Sequence, residues 1–361
     1  MSHPARGRWR LGAGSASALV AAVVAAAVVG QAAPEGATAA ASSPLAGYAA
    51  SSWCAPLGAP TGPEVRSADG RGASRAYELG SLYWSGTTGA RAVVSLLPRY
   101  AQLGAERSWL GYPSTDEGTT PDGVAYQHFT GGSMYLTPGG ARALRGPVLQ
   151  RWAAGGWERS VGYPTTDTTS LALRGGSFAH FDRGSVYASP TTGARVVSGA
   201  VRDAWARQGW EWSALGYPTA EQGTTPDQRA VYQHFEDGSL YVTSSGARTL
   251  LAPARTAWAS MGWERSALGY PTTDRASTPD GRGWYQHFEG GSLYSTPTTG
   301  VQAVTGPARG EWARQGWERS ALGYPVASTR TTPTGTTTAF EGGRVDWDSA
   351  TGRATTTLTP R

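Results

Sequence analysis

Aromatic and polar positions alternate in short bursts along this chain, and the bursts recur. Residues 284–288 read Trp-Tyr-Gln-His-Phe, aromatic and alternating with the period of a strand. Glu289-Gly290-Gly291 turns the chain, and Ser292-Leu293-Tyr294 returns as the second strand of a hairpin. Thr299-Gly300 marks another turn before Gln302-Ala303-Val304, a third short strand. The period then becomes helical: Ala308 and Trp312 lie four apart on one face, as do Val148 with Trp152 and Val201 with Trp205. Gly306 and Pro307 open this helix, with Gly at the cap and Pro at the first helical position. Gly316 ends it, as Gly156, Gly209 and Gly262 end their counterparts. A helix of about ten residues is too short to stand alone in water, so its Trp face must dock on a sheet.

The whole pattern repeats. Residues 262–274 read G-W-E-R-S-A-L-G-Y-P-T-T-D, with close copies at 156–167 and 316–325, a looser one at 209–218 and a degenerate one at 104–116. The quartet glycine falls at Gly58, Gly111, Gly162, Gly216, Gly269 and Gly323, in steps of 51 to 54 residues. Six copies at a near-constant period define a repeat protein. In the quartet, Pro271 fixes its own φ and pushes Tyr270 towards an extended conformation, while Gly269 supplies a positive φ or a close backbone approach. A tight-turn loop follows at 277–281, matched by Thr-Pro-Asp-Gly at 120–123. The expected fold is mainly β with short helices: six tandem β-units of about 53 residues forming a repeat stalk. Four-stranded units of this length also build a closed β-propeller, and the helix separating successive units favours the stalk. The boundaries are 1–41 signal peptide and linker, 42–52 linker, then units 53–108, 109–160, 161–213, 214–266, 267–320 and a truncated 321–361. Terminal units face solvent and should depart from the pattern. Ala76 and Ala339 replace the histidine there, and the last unit lacks its helix.

The start of the chain has its own pattern. Arg6, Arg8 and Arg10 precede an unbroken apolar run at 18–29, and small-residue cleavage sites follow, for example after Ala39 or Ala41. This reads as a secretory signal. The run is short for a membrane span, which needs roughly 20 apolar residues, so no stable span is expected if the leader is cleaved; counted loosely from Leu11 to Ala33, the stretch is long enough for an uncleaved anchor. The lone Cys54 permits no internal disulfide. No Lys, Asn or Ile occurs, which points to a very GC-rich genome, yet 16 Tyr and 15 Trp are kept against that bias. The formal charge is +5 and three of the arginines sit in the leader. The remaining basic residues are scattered, with no nucleic-acid footprint.

The quartet, with its flanking G-W-E and F-x-G-G-S-x-Y elements, resembles the LGFP repeat of secreted actinobacterial proteins, over about residues 53–350. In this chain Tyr replaces the family's Phe at Tyr112, Tyr163, Tyr217, Tyr270 and Tyr324; Ala59 stands there in the first copy, and Val161 replaces Leu in the third. The resemblance implies small four-stranded β units associated with the peptidoglycan–arabinogalactan wall, and so cell-wall polysaccharide or peptidoglycan as partner.

The repeats also carry the candidate chemistry. His128, His180, His234 and His287 each precede a Phe, and Trp157-Glu158, Trp210-Glu211, Trp263-Glu264 and Trp317-Glu318 follow the helices. A catalytic or metal site needs partners converging once. Four scattered copies do not suggest that, and no G-x-S-x-G elbow, H-E-x-x-H helix or Gly-rich phosphate loop is present. No enzyme, cofactor or metal is therefore expected. A carboxylate or imidazole beside an aromatic platform is the usual way of holding a sugar ring; the structural alternatives are a His hydrogen-bonded at a repeat junction and a buried Glu paired with Arg. Asp116, Asp167, Glu221 and Asp274, just after the quartet, are expected to bond nearby backbone groups in a turn. Two functional classes result: a non-catalytic secreted, wall-associated protein binding envelope polymer multivalently, and a spacer or protein-partner stalk without saccharide affinity. Exposure of the repeated aromatic and polar slots separates them.

Overall fold

In the computed structural model, which describes Leu45 and residues 57–360, the chain forms six four-stranded antiparallel sheets in tandem. Each is an open meander with its strands in sequence order, and none closes into a barrel. The leader, most of the linker and Cys54 lie outside the described residues. The fifth copy shows the plan: strands Ala276–Ser277, Trp284–His287, Gly291–Thr296 and Gly300–Thr305, then the helix Gly306–Gln315. Gln286, Leu293 and Ala303 are cross-strand partners and share one face. Tyr285, Tyr294, His287 and Ser292 share the other. The earlier closing helices are Leu97–Leu103, Gly146–Ala154, Gly199–Arg207 and Ala254–Ser260.

Four hydrophobic cores lie between consecutive repeats rather than within them. Trp258 of the fourth helix packs with Tyr241 and Leu250 of its own sheet and with Leu268, Tyr270, Phe288 and Leu293 of the next. Trp312 does the same with Tyr294 and Val304 on one side and Leu322, Tyr324, Phe340 and Val345 on the other. An inner sheet is thereby covered on both faces, which is why Gly291–Thr296 is buried along its whole length. The chain divides into two compact bodies, residues up to Thr169 with Ala179–Asp182, and Ser170–Phe178 with residues from Arg183 onward. The first holds the core around Tyr100 and a terminal cluster to which Leu45, in the stretch read as linker, contributes. The second holds the cores around Trp205, Trp258 and Trp312.

Polar staples join each repeat to the one before it. Tyr270 of the quartet donates its hydroxyl to Asp227 Oδ1 (2.6 Å) and Thr225 Oγ1 (2.8 Å) in the preceding loop. Tyr324 does so to Asp280 and Thr278, and Tyr163 to Asp122 and Thr120. A phenylalanine could not make this bond, which gives the family's Phe-to-Tyr replacement a structural reason here. The third copy's loop has no Asp, and Tyr217 of the fourth uses its Leu173 carbonyl instead (2.9 Å). Buried Gln127, Gln233 and Gln286 each bridge two backbone carbonyls, one of them in the preceding repeat.

The acidic residues after the quartet do bond backbone amides, but not in a local turn. Asp167 accepts from Ala143 N (2.8 Å), Asp274 from Thr249 N (2.7 Å) and Glu221 from Val196 N (3.3 Å), each on the last strand of the preceding sheet. Asp116 instead pairs with Arg91. The reason is geometric: the quartet leaves the chain running past the preceding sheet's edge, whose amides have no strand to bond. The sixth sheet carries a polar face. Thr337, Asp346, Ala339 and Arg344 stand where the fifth copy has Tyr285, Tyr294, His287 and Ser292, and Asp346 binds both Thr337 and Arg344.

Candidate functional site

A strained residue follows each inner helix. Gly262 closes its helix at φ 99°, and the next residue, Trp263, also has a left-handed φ, of 60°. Trp157, Trp210 and Trp317 repeat this at 59°, 58° and 60°, and Ala105 holds the place in the first copy at 51°. For a residue with a side chain such a sparsely populated conformation costs about 1–3 kcal/mol. Packing holds it: each indole meets the buried helix Trp edge to face, at 5.3 Å for Trp258–Trp263 and 5.4 Å for Trp205–Trp210. The positive φ turns the indole back over the sheet face that carries Tyr and His.

On that face, His128 lies 5.7 Å from Trp157, His234 5.9 Å from Trp263 and His287 5.4 Å from Trp317, ring to ring. Their Nδ1 atoms are 2.7 Å from Ser133, Ser239 and Ser292 Oγ. A tyrosine flanks each imidazole, for example Tyr232 at 5.2 Å from His234. Burial, joined in the fourth and fifth copies by a nearby arginine, lowers the pKa of all three histidines. His180 holds the equivalent place in the strand Ser177–Phe181, its amide donating to Thr166 Oγ1. These rings are partly exposed, and so are the four indoles. The structure thus assembles the predicted Trp and His of the second, fourth and fifth units into one half-open slot each.

The LGFP repeat model matches residues 57–108, 110–160, 161–213, 215–266 and 268–320. The chain belongs to the LGFP repeat family. The sixth sheet lies beyond the matched segments. No curated protein matches the sequence. Among solved structures the chain is similar to the TCP10 domain of Danio rerio CPAP, at 9% identity and TM-score 0.21, covering 67% of this chain and 94% of that one. It is also similar to the extracellular domain of a putative hybrid two component system from B. thetaiotaomicron (11%, TM-score 0.15, 84% and 34%) and to a plant albumin from Cicer arietinum showing hemagglutination (11%, TM-score 0.14, 52% and 89%). Likenesses at these scores carry no argument about this chain.

The glutamates of the LGFP units turn away from the slot. Glu211 and Glu318 are only 5% and 9% exposed. Their charges act on tyrosines beneath: Glu211 on Tyr187 and Tyr217, Glu264 on Tyr241 and Tyr270, Glu318 on Tyr294 and Tyr324. With burial as the first cause, Tyr270 and Tyr324 are pushed up to about 12. Glu211, Glu264 and Glu318 form no ion pair among the described residues, so the Arg pairing weighed for them is not made there. Nor, among the described residues, do three or more His, Cys, Asp or Glu side chains converge as metal ligands would.

Two elements of the slots escaped the sequence reading. In the third to fifth units a helix arginine, three residues before the buried Trp, lies over the strained indole. Arg202 is 5.8 Å from Trp210, Arg255 5.7 Å from Trp263 and Arg309 5.4 Å from Trp317. The recurring three-residue spacing was the available signal. The other is Trp212, 68% exposed, standing where the other units have Arg159, Arg265 and Arg319.

Proposed function

We propose that this protein is a non-catalytic, exported envelope-binding protein that holds wall polymer through several equivalent weak slots, each built around a strained Trp and its neighbouring His. The observation that carries the reading is the left-handed backbone kept at Trp157, Trp210, Trp263 and Trp317. Strain retained in four copies, at a partly exposed aromatic residue beside a partly exposed imidazole, is characteristic of a recognition site rather than of a spacer. The exposed indole of Trp212 adds apolar stacking surface next to one of them. A repetitive polymer can engage several slots at once, and avidity gains of ~10²–10⁴ then need no new contact. A formal charge of +5 in 361 residues is too small for a purely electrostatic attachment, so moderate salt should leave retention largely intact.

One observation favours the spacer reading. The quartet Tyr hydroxyl and the Nε2 group of the buried Gln bond to the preceding repeat. Co-sedimentation with isolated actinobacterial wall decides between them. Replacing the slot tryptophans one, two, three and four at a time should lower wall retention far more steeply than in proportion. Equal retention across the series, or no retention by the intact protein, would make the spacer reading correct.

A further inference from the structure

The slots are not all alike. In the third, fourth and fifth units the helix position three residues before the buried Trp is Arg202, Arg255 and Arg309; in the second it is Leu149, and in the first, where Tyr100 replaces the Trp, it is Leu97. Each arginine is held from two sides. Its guanidinium lies over the strained indole, and its Nε donates to a serine Oγ: Ser185 at 2.7 Å, Ser239 at 2.6 Å and Ser292 at 2.7 Å. None of the three forms an ion pair, and their Nη atoms have no protein partner among the described residues. A guanidinium fixed in place, half-buried and lacking a counter-charge, is arranged to receive one.

The serine extends the argument to histidine. In the fourth and fifth units the same Oγ that accepts from Arg Nε lies 2.7 Å from His234 or His287 Nδ1. Arginine Nε can only donate, so the serine accepts there and has its own proton to give to Nδ1. A neutral imidazole accepting at Nδ1 carries its proton on Nε2. The lowered pKa of both histidines keeps them neutral at pH 7. With the serine proton given to Nδ1, the relay sets the guanidinium Nη groups and one imidazole N–H as donors beside an indole face. Such a set suits an acceptor-rich anion attached to an apolar ring face.

We infer that the Arg202, Arg255 and Arg309 slots bind the anionic group of an acidic saccharide polymer, a carboxylate or a phosphodiester, whereas the Leu149 slot takes only neutral surface. The inference rests on the envelope-binding reading for its polymer and deepens it by naming the ligand's charge.

The test uses the whole protein and its triple variant Arg202→Leu/Arg255→Leu/Arg309→Leu. Leucine is the residue the first two units carry at this position, so the substitution suits the fold; circular dichroism and the unfolding midpoint check that it does. Tryptophan emission is titrated with an oligogalacturonate, its neutral methyl ester and a glycerol-phosphate oligomer. One of the acidic probes should bind about tenfold or more tightly than the ester, and the triple variant should lose that margin. Preference for the uronate identifies a carboxylate, and preference for the glycerol phosphate a phosphodiester. Equal binding of acidic and neutral probes, no binding of either acidic probe, or an undiminished margin in the folded triple variant overturns the inference. Wall sedimentation of both proteins runs alongside. Acid-selective binding without wall retention sinks the envelope reading alone, and undiminished wall retention without acid selectivity sinks the anion slot alone.

Discussion

Gln233 offers a direct measure of what joins one repeat to the next. Its side chain is fully buried, and Nε2 donates to Val196 O (2.8 Å) in the third unit and to Ala220 O (2.9 Å) beyond the quartet of the fourth. Gln233→Leu keeps the approximate volume and removes both donors. A buried carbonyl left unpaired costs about 1–3 kcal/mol, so two cost about 4 kcal/mol at mid-range. Against this, Oε1 of Gln233 is itself buried without a partner, and removing it returns about 1 kcal/mol. The expected net loss is about 3 kcal/mol. Gln233→Glu sharpens the test, because a carboxylate would set an acceptor against two acceptors. Burial and lack of a donor favour its protonated form, placing its folded pKa above the ~4.3 of a free glutamate. The stability lost at neutral pH should therefore partly return as pH falls through that raised value. Urea unfolding followed by tryptophan emission gives the magnitude. Hydrogen exchange over 193–198 and 238–251 localises it, which matters in a repeat array that can open one segment at a time. A Leu variant within about 0.5 kcal/mol of the parent, with unchanged exchange there, would refute the staple.

Other consequences follow from the slots and the quartet. Trp263→Gly should be better tolerated than Trp263→Ala, by about 1 kcal/mol in unfolding free energy, because only glycine accepts φ 60° without strain; the opposite order would contradict the strain. His128, His234 and His287 have folded pKa values below the ordinary 6.5. Their contribution to stability is full above about 6.5 and is lost as pH falls from there through the lowered folded values. Unfolding free energy should then be larger at pH 7.5 than at pH 5, and the triple His→Gln variant should show a smaller difference. Tyr270→Phe, which restores the family's Phe, removes the main influence holding the Asp227 carboxyl below its ordinary 3.8. An NMR titration should find that carboxyl shifted upward, and an unmoved Asp227 would mean that the phenol bond is absent in solution.

Periodicity made much of this protein legible. The strand at 284–287 follows from alternation and the helix ends from glycine, because both depend on local backbone preferences that each residue carries with it. The departure of the sixth unit from the pattern was visible as Ala339 in the histidine's place. His234 and Trp263 could be picked out as recurrent, but their meeting could not, since 29 residues of strand, helix and turn separate them. Glu264 looked equivalent to Trp263 in the same motif, yet its charge acts on the tyrosines beneath the slot. Adjacent residues in a turn point in different directions, and motif adjacency carries no information about that.

The sequence alone determined the repeat, its strands and helices, the family and the aromatic character of each unit, since all of these reside in spacing and local propensity. Only the tertiary structure decided where the cores lie. The third, fourth and fifth closing helices each carry one Trp face, and that face is buried by two sheets, its own and the next, so the core straddles the boundary that the motif marks. From the same docking come the reach of the Tyr270 hydroxyl to Asp227 and the seat of Arg255 over Trp263. Tyr270 and Asp227 belong to successive repeats, and their contact exists only once both have packed against the same helix.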